Sequence, residues 1–539
     1  MKILRFISSL TILGLSFSTY AQIPDSLTRK VDAIFAEYDK TNTPGCALAI
    51  LKDGKIIYER GYGMSNLEYN IAISPSSIFH IASISKQFAA AALVKLSLEG
   101  KLSLNDDIRK YIPEVPDFGQ TITFNHLIHH TSGIRDQWDL QGLAGWRGGD
   151  LITEKDILEM LSRQRSLNFS PGEEYLYCNT GFTLAGIAVK NITGVSLRDY
   201  ADSVFFRPLG MTSTHFHSDH SEITPNRTSA YFKDNKGKWK ISIPVFDNYG
   251  ATSLFTTVGD LAKWDENFYS KTIGGETFIR SMLLTGELND KTSQIYASGL
   301  VLGNYKGHRT EGHGGADAGY RSNLVRFPDE HLSVIIFANL ANINTSALSF
   351  RVADLFLKDR SVLQPVFKED SNALKKWVGD YYDITTQAKM SLGYRNGKLL
   401  SGSAELVPNK ESVFSIGAST FAFSGDSAAA KFEVNTKGSK TRVYNKVRKI
   451  TLSIPELQEY QGAFYSAELD TRYDLFVKDS SLQVKMPRNE AFRVSPFIKD
   501  VFADDFVIRF SRNKKNKVEG FYITTGRARN VYFQKVPVK

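Results

Sequence analysis

A chain of 539 residues, 42% of them apolar and 23% charged, exceeds what one hydrophobic core holds, since such cores rarely grow past about 250 to 300 residues, so more than one domain is expected. The formal charge of +9 is not gathered into a basic helix or an Arg-rich aromatic face, which argues against a nucleic-acid partner. Cys46 and Cys178 lie in unrelated contexts and are expected to be two separate, mostly buried thiols rather than a disulfide.

At the N-terminus, Lys2 and Arg5 precede an apolar stretch from Phe6 to Phe17, and Thr19-Tyr20-Ala21 supplies the cleavage positions of a secretory signal. Residues 1–21 are therefore expected to be removed on export, leaving a periplasmic or secreted bacterial protein with no stable membrane anchor. Their loss removes Lys2 and Arg5 and no acidic residue, which lowers the formal charge from +9 to +7. Ala47 to Leu51 and Ile56 to Tyr58, joined through Asp53-Gly54, read as a β-hairpin.

Ser83-Ile84-Ser85-Lys86 then opens an apolar helical run through Phe88, Ala89, Ala91, Ala92, Leu93 and Leu96, stopping at Gly100. Residues at i and i+3 share a helix face, so Lys86 can sit beside the Ser83 hydroxyl. A serine is a weak nucleophile without a base and without donors for the oxyanion it creates. The same spacing recurs at Ser511-Arg512-Asn513-Lys514, a charged stretch with no helical pattern behind it, so the spacing alone decides nothing. Asp106 and Asp107 read as turn or cap residues. His126, His129 and His130 have helical spacing, but no Asp, Glu or Cys with ligand spacing joins them, and no metal is expected.

Farther on, Tyr177-Cys178-Asn179 follows Ser170-Pro171-Gly172 and precedes a small-and-apolar run, so a loop delivers a phenol and an amide at a helix start. Cys178 has no histidine nearby in sequence and is the weaker candidate nucleophile. Gly312-His313-Gly314-Gly315-Ala316 leads through Gly319-Tyr320 into a strand, and its glycines allow close approach to a strand edge. Ser333 to Ala338 reads as a late strand.

Ser-x-x-Lys, Tyr-x-Asn and His-x-Gly in this order resemble the serine β-lactamase and penicillin-binding protein superfamily, on its class C and D-aminopeptidase/esterase branch. Phe79-His80-Ile81-Ala82, the segments 100–107 and 126–133, and Thr252-Ser253-Leu254-Phe255-Thr256-Thr257 are similar as well. The resemblance covers about residues 25 to 360. It implies an α+β fold, an antiparallel sheet flanked by helices plus a mainly helical subdomain, over residues 22–360. It also implies that Ser83 becomes acylated, that Lys86 and Tyr177 share the proton traffic, and that Asn179 bonds Lys86 or the substrate. His313 and Gly315 would line the substrate edge, and the backbone N–H groups of Ser83 and Ala316 would form the oxyanion hole. No cofactor is implied.

His313 stands where many relatives carry lysine. A histidine is mostly neutral at pH 7, so β-lactam or D-Ala-D-Ala hydrolysis is expected to be weak. D-amino-acid amides, small peptides, peptidoglycan-derived ones among them, and short-chain esters are the expected substrates. The alternative is a catalytically quiet cell-wall or ligand sensor that retains the fold.

Beyond a charged connector near Lys358 to Asp370 the pattern changes to short alternating apolar runs. Leu374, Trp377, Gly379, Tyr381, Tyr382 and Leu399 align with Leu457, Tyr460, Gly462, Phe464, Tyr465 and Leu482, an internal repeat. Residues 371–450 and 453–539 are thus expected to form two small antiparallel β-barrel-like domains, with aromatic cores and no chemistry of their own. As a cover over the cleft they would screen substrate size, and their removal would admit bulkier substrates.

Overall fold

The hairpin at Asp53-Gly54 forms between strands Cys46–Lys52 and Lys55–Tyr62 and anchors one side of a six-stranded antiparallel sheet. The other strands, in order from the far edge, are Val301–Tyr305, His308–Asp317, Tyr320–Phe327 and Leu332–Ala338, the last pairing with Cys46–Lys52. This computed structural model describes residues 23–360, 367 and 369–537. The expected signal segment lies outside them.

Alternation along the central strands assigns the two faces. Leu48, Ile50, Val334 and Ile336 pack under helices Asp25–Phe35 and Thr345–Ala353, while Ala47, Ala49, Ile335 and Phe337 join the larger core on the other side. In that core helix Lys86–Leu98 is buried on every side from Lys86 to Val94, and Ala89 to Ala92 are fully buried. A run of small, strongly helix-forming residues lets the neighbouring helix Asn179–Thr193 pack closely against it. No helix among the described residues is long and apolar enough to cross a membrane.

The repeat emerges as two nine-stranded, nearly closed barrel-like sheets with the same strand order, spanning Gly379 to Val447 and Gly462 to Val536. Each is preceded by a short helix, Ser371–Lys375 and Ile454–Gln458. Gly379 and Gly462 adopt φ of +146° and +141°, and a Cβ on either would lie 2.6 Å from Lys446 Cε or 2.7 Å from Lys535 Cε. The aligned glycines thus let a lysine from the closing strand cross the barrel start. Stacked pairs Phe432–Tyr444 and Phe521–Phe533, with centroids 5.0 and 4.7 Å apart, fill the two interiors, so these aromatics are core.

The second barrel is not a detachable cover. Leu140, Leu143 and Met160 of the helical region share its core with Phe464, Tyr473 and Phe521. The Tyr473 hydroxyl donates to the Leu143 carbonyl at 2.6 Å, and buried Arg135 donates to Glu468 at 2.5 Å and to the Arg529 carbonyl at 3.0 Å. A chain cut after residue 365 would expose those apolar side chains and strand the Arg135 charge. Breaking such a buried pair costs about 3–5 kcal/mol, so the truncated chain is expected to melt well below the full chain, or to aggregate, in a thermal scan. Simple broadening of substrate range, the sequence-based expectation for this deletion, is therefore not its first consequence.

Candidate active site

Ser83 does not open the α-helix itself. Ala82–Ser85 is a single 3₁₀ turn that runs into helix Lys86–Leu98. Side chains at i and i+3 eclipse in a 3₁₀ turn, which brings Lys86 Nζ to 3.1 Å from Ser83 Oγ. Ala82, immediately before the nucleophile candidate, has φ of +48°, a strained value for a residue with a Cβ. The turn is held from outside: Ala82 N donates to His80 Nδ1 at 3.2 Å, and Ser85 Oγ donates to the Ala82 carbonyl and accepts from Leu254 N.

Lys86 is fully buried and donates to Ser83 Oγ, to Asn179 Oδ1 at 2.8 Å and to the Ala251 carbonyl at 2.7 Å. Three acceptors match the three donors of an ammonium. Burial still pushes its pKa down to about 7, against the opposing pull of Asp136 and Asp317. Asn179 begins helix Asn179–Thr193, as the Tyr-Cys-Asn segment suggested, and Asp136 fixes its amide. Asp136 Oδ2 accepts from Asn179 N at 2.6 Å and from Asn179 Nδ2 at 2.8 Å, which turns the amide oxygen toward Lys86.

The Tyr177 ring lies 4.9 Å from Lys86 Nζ and 4.2 Å from the His130 ring. Burial raises the phenol's pKa far above its usual value, opposed by a hydrogen bond with Ser83, so the phenol stays protonated. His313 donates from Nδ1 to the Gly314 carbonyl at 2.5 Å, so its Nε2 accepts from the Tyr296 hydroxyl at 2.9 Å. Burial, then Lys86, hold its pKa down to about 4. The imidazole is neutral and both its nitrogens are committed.

His308–Asp317 is the second strand of the sheet, not its edge, yet its partner Val301–Tyr305 pairs only as far as Gly312. His313 to Asp317 therefore present a free edge to the cleft. Gly315 explains how that edge reaches Ser83: a Cβ there would lie 2.2 Å from Ser322 Oγ and 2.4 Å from the Ile81 carbonyl. Gly315→Ala is expected to push the strand off the Ile81–Ala82 turn, at about 1–3 kcal/mol in stability and about a hundredfold in turnover. Thermal melting and steady-state rates on one sample check both.

Ser83, Tyr177, Asn179, His313, Gly315 and Ala316 all line one cleft of about 850 Å³, walled by Trp138, stacked on Phe246 at 4.8 Å, and by Trp146. Asp317, its pKa pushed up to about 6 by burial, accepts from Thr252 Oγ1 at 2.6 Å in the same cleft. Two lining or supporting residues had no signal in the sequence. Asp136 caps helix Gln137–Leu143, an ordinary role for an aspartate. Arg527, from the second barrel, enters the cleft with its guanidinium 5.6 Å from the Tyr177 ring centroid and 3.5 Å from Asp136 Oδ2.

The remaining candidates have structural roles. His126 and Thr123 form a capping box, His129 bonds the Asn125 and Leu284 carbonyls, and His130 Nδ1 accepts from Cys178 N. Asp107 caps the Ile108–Lys110 turn, and Asp106 accepts from Ser103 N. Cys46 and Cys178 are separate, buried free thiols, and burial pushes Cys178 up to about 12. Ser511 lies in a barrel strand with Lys514 in the exposed turn beyond it.

The family model described as Beta-lactamase matches residues 31–354, more than half of the chain. The chain belongs to the Beta-lactamase family. A D-aminopeptidase of Gluconobacter oxydans is 27% identical over 296 residues, covering 55% of this chain and 56% of its own length. A D-aminopeptidase of Brucella anthropi is 27% identical over 350 residues, covering 65% of each chain. The match thus spans less than two thirds of either relative. In fold, the chain is similar to the octameric penicillin-binding protein homologue from Pyrococcus abyssi, with a TM-score of 0.57 and 23% identity over 78% of this chain and 99% of that one.

Proposed function

We propose that the protein is an exported serine hydrolase that cleaves amides or esters through an acyl-enzyme on Ser83, within the periplasm or outside the cell. The observation that carries this reading is the Lys86 amine 3.1 Å from Ser83 Oγ, fully buried and held by Asn179 and Ala251. With its pKa down to about 7, much of Lys86 is neutral at physiological pH and has a lone pair for the Ser83 proton, whereas Tyr177 stays a protonated phenol, a poor base but a proton donor. Lys86 is therefore the first base. Ser83 attacks the carbonyl as its proton passes to Lys86, the oxyanion is met by the N–H groups of Ser83 and Ala316, and Tyr177, beside Ser83, gives its proton to the leaving group as the C–N or C–O bond breaks and takes the proton held by Lys86 in its place. Water then releases the acyl group along the reverse proton path.

Kinship with D-aminopeptidases supports D-amino-acid amides and small peptides as the substrate class, alongside short-chain esters. The neutral, committed His313 supports the weak claim of β-lactams, since it offers no cation where many relatives carry lysine. The test combines intact mass after brief exposure to a p-nitrophenyl ester with rates on D- and L-amino-acid amides, esters and β-lactams. One acyl group on the peptide containing Ser83, with amide or ester turnover, is the expected result. Rapid penicillin turnover without amidase or esterase activity overturns the substrate class, and no acylation with no turnover points to the sensor.

A further inference from the structure

Arg527 is held unlike the other arginines of the interface between barrel and cleft. Its backbone is clamped: N donates to Asp139 Oδ2 at 2.7 Å, and the carbonyl accepts from Asn168 Nδ2 at 3.0 Å and Asp136 N at 3.2 Å. Thr525 Oγ1 adds a bond to the same Asp139 oxygen at 2.6 Å. Its guanidinium, by contrast, makes no hydrogen bond among the described residues and is 38% exposed. Nearby Arg135 and Arg529 are buried and spend their donors on Glu468 and Glu174.

Arg527 is a counter-ion to buried Asp136, but that pairing leaves its hydrogen-bond donors unspent. Asp136 Oδ2 already accepts two bonds from Asn179, Oδ1 accepts from Trp138 N, and Arg527 Nη1 stands off at 3.5 Å. The other cations of the cleft are engaged. Lys86 has three acceptors, Arg147 is paired with Asp150, and Arg321 Nη1 is bonded to the Ala318 and Tyr320 carbonyls of its own turn. His313 is committed at both nitrogens. What remains is a planar fork of donors on a rigid mount, facing the cleft beside Tyr177, which suits a carboxylate.

We propose that Arg527 is a specificity-determining residue that receives a substrate carboxylate, so that the preferred substrates are short peptides or esters with a free carboxylate on the residue adjoining the scissile bond. The carboxylate would thus be held from the barrel side of the cleft, beside Tyr177, and not from the His313 strand. This assignment rests on the Ser83 acyl-enzyme reading but is tested apart from it.

The experiment compares an N-acylated dipeptide bearing a free C-terminal carboxylate with its C-terminal amide, in both D and L series, on the full chain and on Arg527→Ala and Arg527→Lys. The acid should be preferred in kcat/KM by about 10- to 100-fold, the scale of a charge-assisted hydrogen bond. That ratio should fall to near one in Arg527→Ala and stay intermediate in Arg527→Lys. A ratio near one in the unaltered protein, or a parallel loss on both substrates that leaves the ratio intact, overturns the proposal. The second arm measures calorimetric binding of the same acid and amide to Ser83→Ala with and without Arg527→Ala. Selective loss of acid binding supports the assignment even if no turnover is found, whereas equal binding of acid and amide sinks it. Failure of acylation alone counts against the hydrolase reading.

Discussion

Replacing Ser83 by alanine is expected to lower turnover of amides and esters by on the order of 10⁴- to 10⁶-fold, the scale seen when a nucleophile is removed from an otherwise intact site. The hydroxyl faces the cleft and bonds Lys86, so its loss leaves the core of the Lys86–Leu98 helix in place. The variant should keep the melting profile of the parent and take up no acyl group from a p-nitrophenyl ester. Residual turnover within a hundredfold of the parent would move the nucleophile elsewhere. Cys178 is no ready substitute, since it is buried, donates to the Ile134 carbonyl at 3.3 Å and has its pKa pushed up to about 12 by burial.

The second large effect concerns Lys86 and pH. A base must be neutral to act, and burial places this amine's pKa near 7, so acylation should speed up as pH rises through about 7 and level off above it. Below that point the rate should fall by about tenfold per pH unit as the ammonium fills. Asp317, with its pKa pushed up to about 6, loses its charge over the acid side of the same range, which withdraws a carboxylate that favours the ammonium. Lys86→Met should remove this limb and cost about 10²- to 10⁴-fold or more in single-turnover acylation. A rate that instead falls as pH rises through 7 would mean that the cation is what catalysis needs, and a Lys86→Met variant within tenfold of the parent would leave Tyr177 as the base.

These expectations connect to the barrel through charge. Arg527 opposes protonation of Lys86 and favours ionisation of Tyr177, while Asp136 does the reverse to both. Arg527→Ala therefore removes a cation as well as a donor, which is why its test reads a ratio between acid and amide rather than a rate.

Residues close in sequence carried their geometry with them. Ser83 and Lys86 meet because one turn separates them, the hairpin at Asp53-Gly54 forms from its own alternation and turn, and the two barrels repeat because Gly379 and Gly462, with their flanking aromatics, repeat. Family resemblance added Tyr177, Asn179, His313, Gly315 and Ala316, whose place around one cleft no local pattern specifies. Only the tertiary structure decided the rest: that His313 is neutral and spent on Tyr296 and Gly314, that Asp136 aims the Asn179 amide, and that Arg527 arrives from the second barrel. Helix and strand periodicity report which face of an element is buried, not which distant polar groups meet there. Asp136 and Arg527 stand far apart along the chain, and what joins them is the packing of Leu140, Leu143 and Met160 into the barrel core.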